Sequence, residues 1–174
     1  MDRDFWGANL GKGERYSTFR ALPHEDALAS GEYAEIMDHE KASAILAGAK
    51  RFAIGLCSCR HEQEHLGTKK CNVPLAKCSQ FDGAADFMIR NELAREVSRS
   101  EMEENFADSK ARGLVLIGDN VKANMKFVCH CCRCCCGPLL GITRYGYPNS
   151  IVTSSLIAEI THDSCIGRGK CAKV

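Results

Sequence analysis

Lys126-Phe127-Val128-Cys129-His130-Cys131-Cys132-Arg133-Cys134-Cys135-Cys136 decides how this chain is read, because a short apolar run passes directly into six thiols within eight positions. Upstream, Phe52-Ala53-Ile54-Gly55-Leu56-Cys57-Ser58-Cys59 repeats the pattern, an apolar run ending in Cys-x-Cys. Such runs, bounded by charge, suit buried strands. Strands over 52–56 and 126–128 that deliver cysteines at their ends predict an α+β domain, with a small mixed sheet that brings the two cysteine sets together. Adjacent cysteines rarely meet the geometry of a disulfide. Crowded thiolates repel one another unless a cation sits among them, and soft sulfur favours zinc, copper(I) or the iron of iron–sulfur clusters. A metal centre is the first reading of the octet 129–136.

Outward from these stretches, Asp38 precedes a helical segment running to about Lys50, in the manner of an N-cap. Helical patterns also cover Asp82 to Asn91 and Ser100 to Arg112, the second opened by a Ser100-x-x-Glu103 capping box and stopped by Gly113. Leu114 to Ile117 reads as a strand, as do Ile151-Val152 and Leu156 to Ile160. Residues 1–37 have weak periodicity and read as an irregular lead-in. Residues 38–160 form the cysteine-rich domain, and 161–174 a short tail.

The 174 residues match one ordinary domain, long enough to bury a core without staples. With 23 Lys and Arg against 22 Asp and Glu, no charge excess points to nucleic acid or an anionic membrane. No stretch approaches the roughly 20 apolar residues of a membrane span. The start Met1-Asp2-Arg3-Asp4-Phe5-Trp6 lacks an apolar signal core, so the expected compartment is the cytoplasm, where clustered cysteines more often mean metal than disulfide.

Three cysteine sets follow. Cys57, Cys59, Cys71 and Cys78, spaced C-x-C-x11-C-x6-C, would suffice for a tetrahedral zinc or a [4Fe–4S] cluster. Cys129, Cys131, Cys132, Cys134, Cys135 and Cys136 contain three overlapping C-x-x-C steps. Their side chains diverge, so about four bind one cluster while the others face the core or serve the first set. Arg60, His61 and His65 are read as solvated loop residues in preference to donors to sulfur, and His130 as hydrogen-bonding or exposed in preference to a ligand. Cys165 and Cys171 stand where a ferredoxin run C-x2-C-x2-C-x3-C-P would lie, but Arg168 replaces one ligand and the sequence stops at Val174. These two are not expected to hold a complete cluster.

Together, Ile54-Gly55-Leu56-Cys57-Ser58-Cys59-Arg60-His61, Cys71 with Pro74 and Cys78, Gly113-Leu114-Val115, Phe127 to Cys136, and Ala158-Glu159-Ile160 before Cys165 resemble a family of 4Fe–4S dicluster-domain proteins of anaerobes. The likeness covers about residues 36 to 174. That family carries Asn and Gly where this chain has His130 and Arg133, and its members continue into complete ferredoxin motifs, so the chain resembles a truncated member. The bulk of Arg133 raises the question whether the octet can still turn as a cluster loop. The resemblance implies one or two [4Fe–4S] clusters and electron transfer in anaerobic metabolism, with a redox protein or oxidoreductase subunit as partner.

An electron-transfer module is accordingly the leading expectation. A zinc-stabilised interaction domain is the alternative, and a redox enzyme with an open-coordinated cluster, using His61 or His130 for protons, is the third.

Overall fold

The computed structural model describes residue 17 and residues 19–25, 41–147, 151–152 and 162–169. Its elements are β1 (Phe19–Leu22), α1 (Ala42–Gly48), β2 (Phe52–Leu56), α2 (Ser58–His65), β3 (Ala76–Phe81), α3 (Asp82–Arg90), β4 (Ala94–Val97), α4 (Arg99–Ala111), β5 (Val115–Asp119), β6 (Phe127–Cys131), α5 (Gly137–Thr143) and β7 (Ile151–Val152). The strands form one sheet in the order β4-β2-β3-β6-β5-β1-β7. Pairing is antiparallel except between β1 and β7, which run parallel. The fold is thus α+β with a mixed sheet.

Alternation along the strands gives this sheet two different faces. Leu22, Phe52, Ile54, Phe81, Leu116 and Val128 point to one side, where they pack with Leu46 of α1 and with Met102 and Phe106 of α4. Phe19, Ile117, Cys129 and Cys131 occupy the intervening positions and cluster together on the other side. The apolar core therefore lies beneath one face, and the opposite face is left for sulfur.

Several local outcomes differ from the sequence reading. Helix α1 begins at Ala42 with no side-chain cap from Lys41, and Asp38 lies outside the described residues. Glu25 holds its first turn instead, accepting from Ser43 N at 2.8 Å and Ser43 Oγ at 2.7 Å. The N-cap of α4 sits two residues before the expected capping box: Ser98 Oγ accepts from Glu101 N at 3.1 Å, directly after β4 ends, while the Glu101 carboxylate pairs with Arg95. Within the lead-in, Phe19–Leu22 form a strand paired with β5. Strand β6 runs on through Cys129, His130 and Cys131 where a loop is expected. The segment 156–160 lies outside the described residues.

Strand β3 escapes a periodicity reading because Lys77, Ser79 and Gln80 are buried. Burial of such groups is tolerated only with partners. Lys77 Nζ reaches Asn105 O at 3.0 Å and Asp108 Oδ2 at 2.7 Å on α4, and Asn105 Nδ2 donates back to Lys77 O at 3.2 Å.

Candidate metal centre

Four elements deliver thiols to the sulfur face. Cys57 leaves β2 as the N-cap of α2, and its N–H donates to Leu75 O at 2.8 Å. Cys59 follows in the first turn of α2. Cys78 lies on β3 opposite Gly55, beside an irregularity in the β2–β3 register. Gly55 is needed there, since a Cβ would stand 3.0 Å from Gln80 Oε1 and 3.1 Å from both Ala94 Cβ and Leu93 O. Cys129 and Cys131 share the sulfur side of β6.

Beyond β6 the chain turns tightly. Cys132 O accepts from Cys136 N at 3.1 Å and from Cys135 N at 3.4 Å. Cys136 then caps α5, whose first turn contains Pro138, a residue suited to a helix start because it needs no N–H partner. Arg133 is exposed and does not adopt positive φ, so the turn does not require glycine at that position.

This path divides the octet. Cys132, Cys134 and Cys135 gather with Cys71, all four sulfurs lying within 4.8 Å of one another. Individual separations are 3.6 Å for Cys71–Cys132, 4.0 Å for Cys71–Cys135, 3.9 Å for Cys132–Cys134 and 3.4 Å for Cys134–Cys135. Four thiolates about 2.3 Å from one tetrahedral ion would stand about 3.8 Å apart. The group can hold a metal ion. Val73 and Leu114 pack beside it.

Cys57, Cys59, Cys78, Cys129, Cys131 and Cys136 line a separate cavity of about 200 Å³. Cys57 and Cys129 thus face the same space, as the repeated strand pattern predicts. The first cysteine set is not brought together as a unit, because β3 carries Cys78 to the cavity while Cys71, in the loop before it, meets the octet's turn. All cysteines among the described residues are free, and Cys165 is exposed; Cys171 lies outside them.

Between the two groups lies Arg60, only 1% exposed and not the solvated loop residue expected. Helix α2 turns it inward, where it donates to Pro74 O at 3.3 Å and to His130 O. Burial opposes its charge, yet the sulfurs of Cys57, Cys132 and Cys78, once ionised, favour the cation and hold its pKa up. A buried guanidinium stabilised in this way calls for ionised sulfur nearby. The sequence reading missed it because α2 is otherwise polar, and a single buried arginine leaves no periodic signal.

His61 and His65 stay at the surface of α2, their Nε2 atoms 3.0 Å apart. His130 lies on the opposite face of β6 from Cys129 and Cys131. Its Nε2 meets Ser79 Oγ at 2.8 Å, and its ring packs edge-on against Phe106. Burial, reinforced by the charges of Lys77 and Arg60, pushes its pKa down to about 3, so the imidazole is neutral at ordinary pH.

Thiols in both groups share protons unequally. Burial works against ionisation of Cys71, but the N–H of Val73 and the thiols of Cys134, Cys132 and Cys135 outweigh it and lower its pKa. Burial raises Cys132 and Cys135. In the cavity, hydrogen bonds from Cys131 and Cys78 bring Cys129 down to about 5. Its partner Cys131 is driven well up by the hydrogen bond to Cys129, the bond to Cys136 and burial. Cys57, drawn down by the Cys59 hydrogen bond, is nevertheless pushed up to about 11 by Cys78 and burial. Each group thus contains a thiol whose pKa is lowered beside others whose pKa is raised.

No family model, curated protein or solved structure matches this chain. The functional reading consequently rests on the site itself.

Proposed function

We propose that this protein is an iron–sulfur electron carrier, holding iron through cysteine thiolates and exchanging single electrons with a partner redox protein. The observation that carries the reading is the convergence of Cys71, Cys132, Cys134 and Cys135 at separations suited to one tetrahedral ion. An all-sulfur donor set selects zinc, copper(I) or iron. Iron in such a set supplies reversible one-electron chemistry, with the thiolates remaining bound in both oxidation states. Cys132 and Cys135 are buried, whereas Cys71 and Cys134 are partly exposed, so the site is shielded on one side and approachable on the other. Arg60 balances the negative charge of the thiolates. The resemblance to dicluster-domain proteins of anaerobes points to the same chemistry, and clustered cysteines suit a cytoplasmic setting, where thiols stay reduced.

A [4Fe–4S] cluster binds each of its four thiolates to a different iron, and therefore needs them wider apart than one ion does. The Cys71 group accordingly takes a single ion. The same spacing favours a second reading, structural zinc in an interaction domain. Anaerobic purification followed by iron, zinc and acid-labile sulfide determination separates the two. Iron in the isolated chain is the expected result; full zinc occupancy without iron would support the interaction domain.

A further inference from the structure

Six thiols of the sulfur face remain when the Cys71 group is set aside, and they line one cavity. Cys129, Cys131 and Cys136 pack together with Ile117 on one side of that cavity. The N–H of Gly137, next to Cys136, donates to Cys59 Sγ at 3.4 Å and ties the start of α5 to the start of α2. The six sulfurs therefore ring one common space.

That space measures about 200 Å³, several times the roughly 30 Å³ share of one water molecule. Phe19, Ile117, Phe127 and Pro138 supply apolar wall. Interiors pack densely and leave few voids larger than a water, and this void has few polar partners to order several waters. A single ion would occupy little of it and could not reach all sides of the ring. An inorganic core of several atoms meets both conditions, since its irons present separate positions to thiolates that stand apart.

The geometry points to a second metal site in this cavity, a polynuclear iron–sulfur cluster held by four of Cys57, Cys59, Cys78, Cys129, Cys131 and Cys136, beside a single-ion site at Cys71, Cys132, Cys134 and Cys135. Cys132 belongs to the single-ion group and also lines the cavity, so the two centres are neighbours with one ligand at their boundary. This inference rests on the electron-carrier reading and adds to it two centres of different nuclearity within one chain.

The test is metal and sulfide stoichiometry on the full chain prepared anaerobically, in three forms. The unsubstituted protein should contain about four sulfides per chain if the core is [4Fe–4S]. Cys71→Ser/Cys134→Ser should lose one metal ion per chain and keep all its sulfide. Cys78→Ser/Cys129→Ser/Cys131→Ser leaves only three cavity thiols outside the single-ion group, and should lose the sulfide while keeping the single ion, whose retention also reports that the fold persists. Should the triple variant not fold, the double variant decides: sulfide retained supports the cavity site, and sulfide lost overturns it. Iron without sulfide in the unsubstituted protein would overturn this inference while leaving the electron-carrier reading in place. Absence of iron would remove both.

Discussion

Arg60 places a positive charge where sulfur, rather than a carboxylate, does most to balance it. Removing one member of a buried charge pair typically costs about 3–5 kcal/mol. Arg60→Gln should lower the unfolding free energy of the metal-loaded protein by about that much in denaturant titrations, and Arg60→Lys should recover only part, since an ammonium lacks the fork that spans Pro74 O and His130 O. Lys77, away from the sulfur face, behaves more simply. Hydrogen bonds from Lys77 and then Arg112 hold the Asp108 carboxyl below its ordinary pKa of 3.8. A depressed carboxyl contributes stability that is present above the unfolded pKa and lost as pH falls through the folded one. Asp108→Asn should therefore lower Tm by a few degrees at neutral pH, and the difference from the unsubstituted protein should shrink below pH about 4 in thermal scans.

Among the elements, α4 and β2 separate stability from metal binding. Ser98→Ala removes the α4 cap and should cost about 1 kcal/mol, with metal content unchanged. Gly55→Val forces a side chain against Gln80, Ala94 and the Leu93 carbonyl. Overpacking of this kind costs about 1–3 kcal/mol, and because Gly55 pairs with Cys78 the change should also lower metal content, read by thermal denaturation and metal analysis side by side. Strand β2 was fully legible in the sequence, since Phe52–Leu56 is apolar without interruption between charge and cysteine. The positions of α3 and α4 were legible to within a residue or two from their helical patterns, with Gly113 as a local stop after α4. Strand β3 was not, because Lys77, Ser79 and Gln80 are buried polar groups, the first two satisfied by partners distant in sequence. Helices α2 and α5 were hidden differently, the first by polar composition around its buried arginine, the second by a Gly-Pro start that reads as a turn.

At the scale of the whole molecule, the sheet gives its two faces different tasks, an apolar core beneath one and cysteines from four chain segments over the other. Sequence spacing divided these cysteines into a set over 57–78 and the octet, and the fold groups them otherwise, because the grouping depends on where β6 ends and how tightly the chain turns at Cys132. Since the sulfur face joins β2, β3 and β6 with the turn at 132–136, a metal bound there would couple to folding, and thiols would release protons as it enters. Calorimetric titration of the apoprotein with Zn²⁺ in buffers of different ionisation enthalpy should show net proton release and an apparent affinity that rises with pH. The most direct test of electron carriage is an anaerobic redox titration of the isolated chain, followed by absorbance and electron paramagnetic resonance. The expected result is a coloured protein that bleaches and recovers reversibly as electrons are added and withdrawn, with a paramagnetic iron signal in one of its oxidation states. A colourless, zinc-filled protein that shows no change across the titration would contradict it.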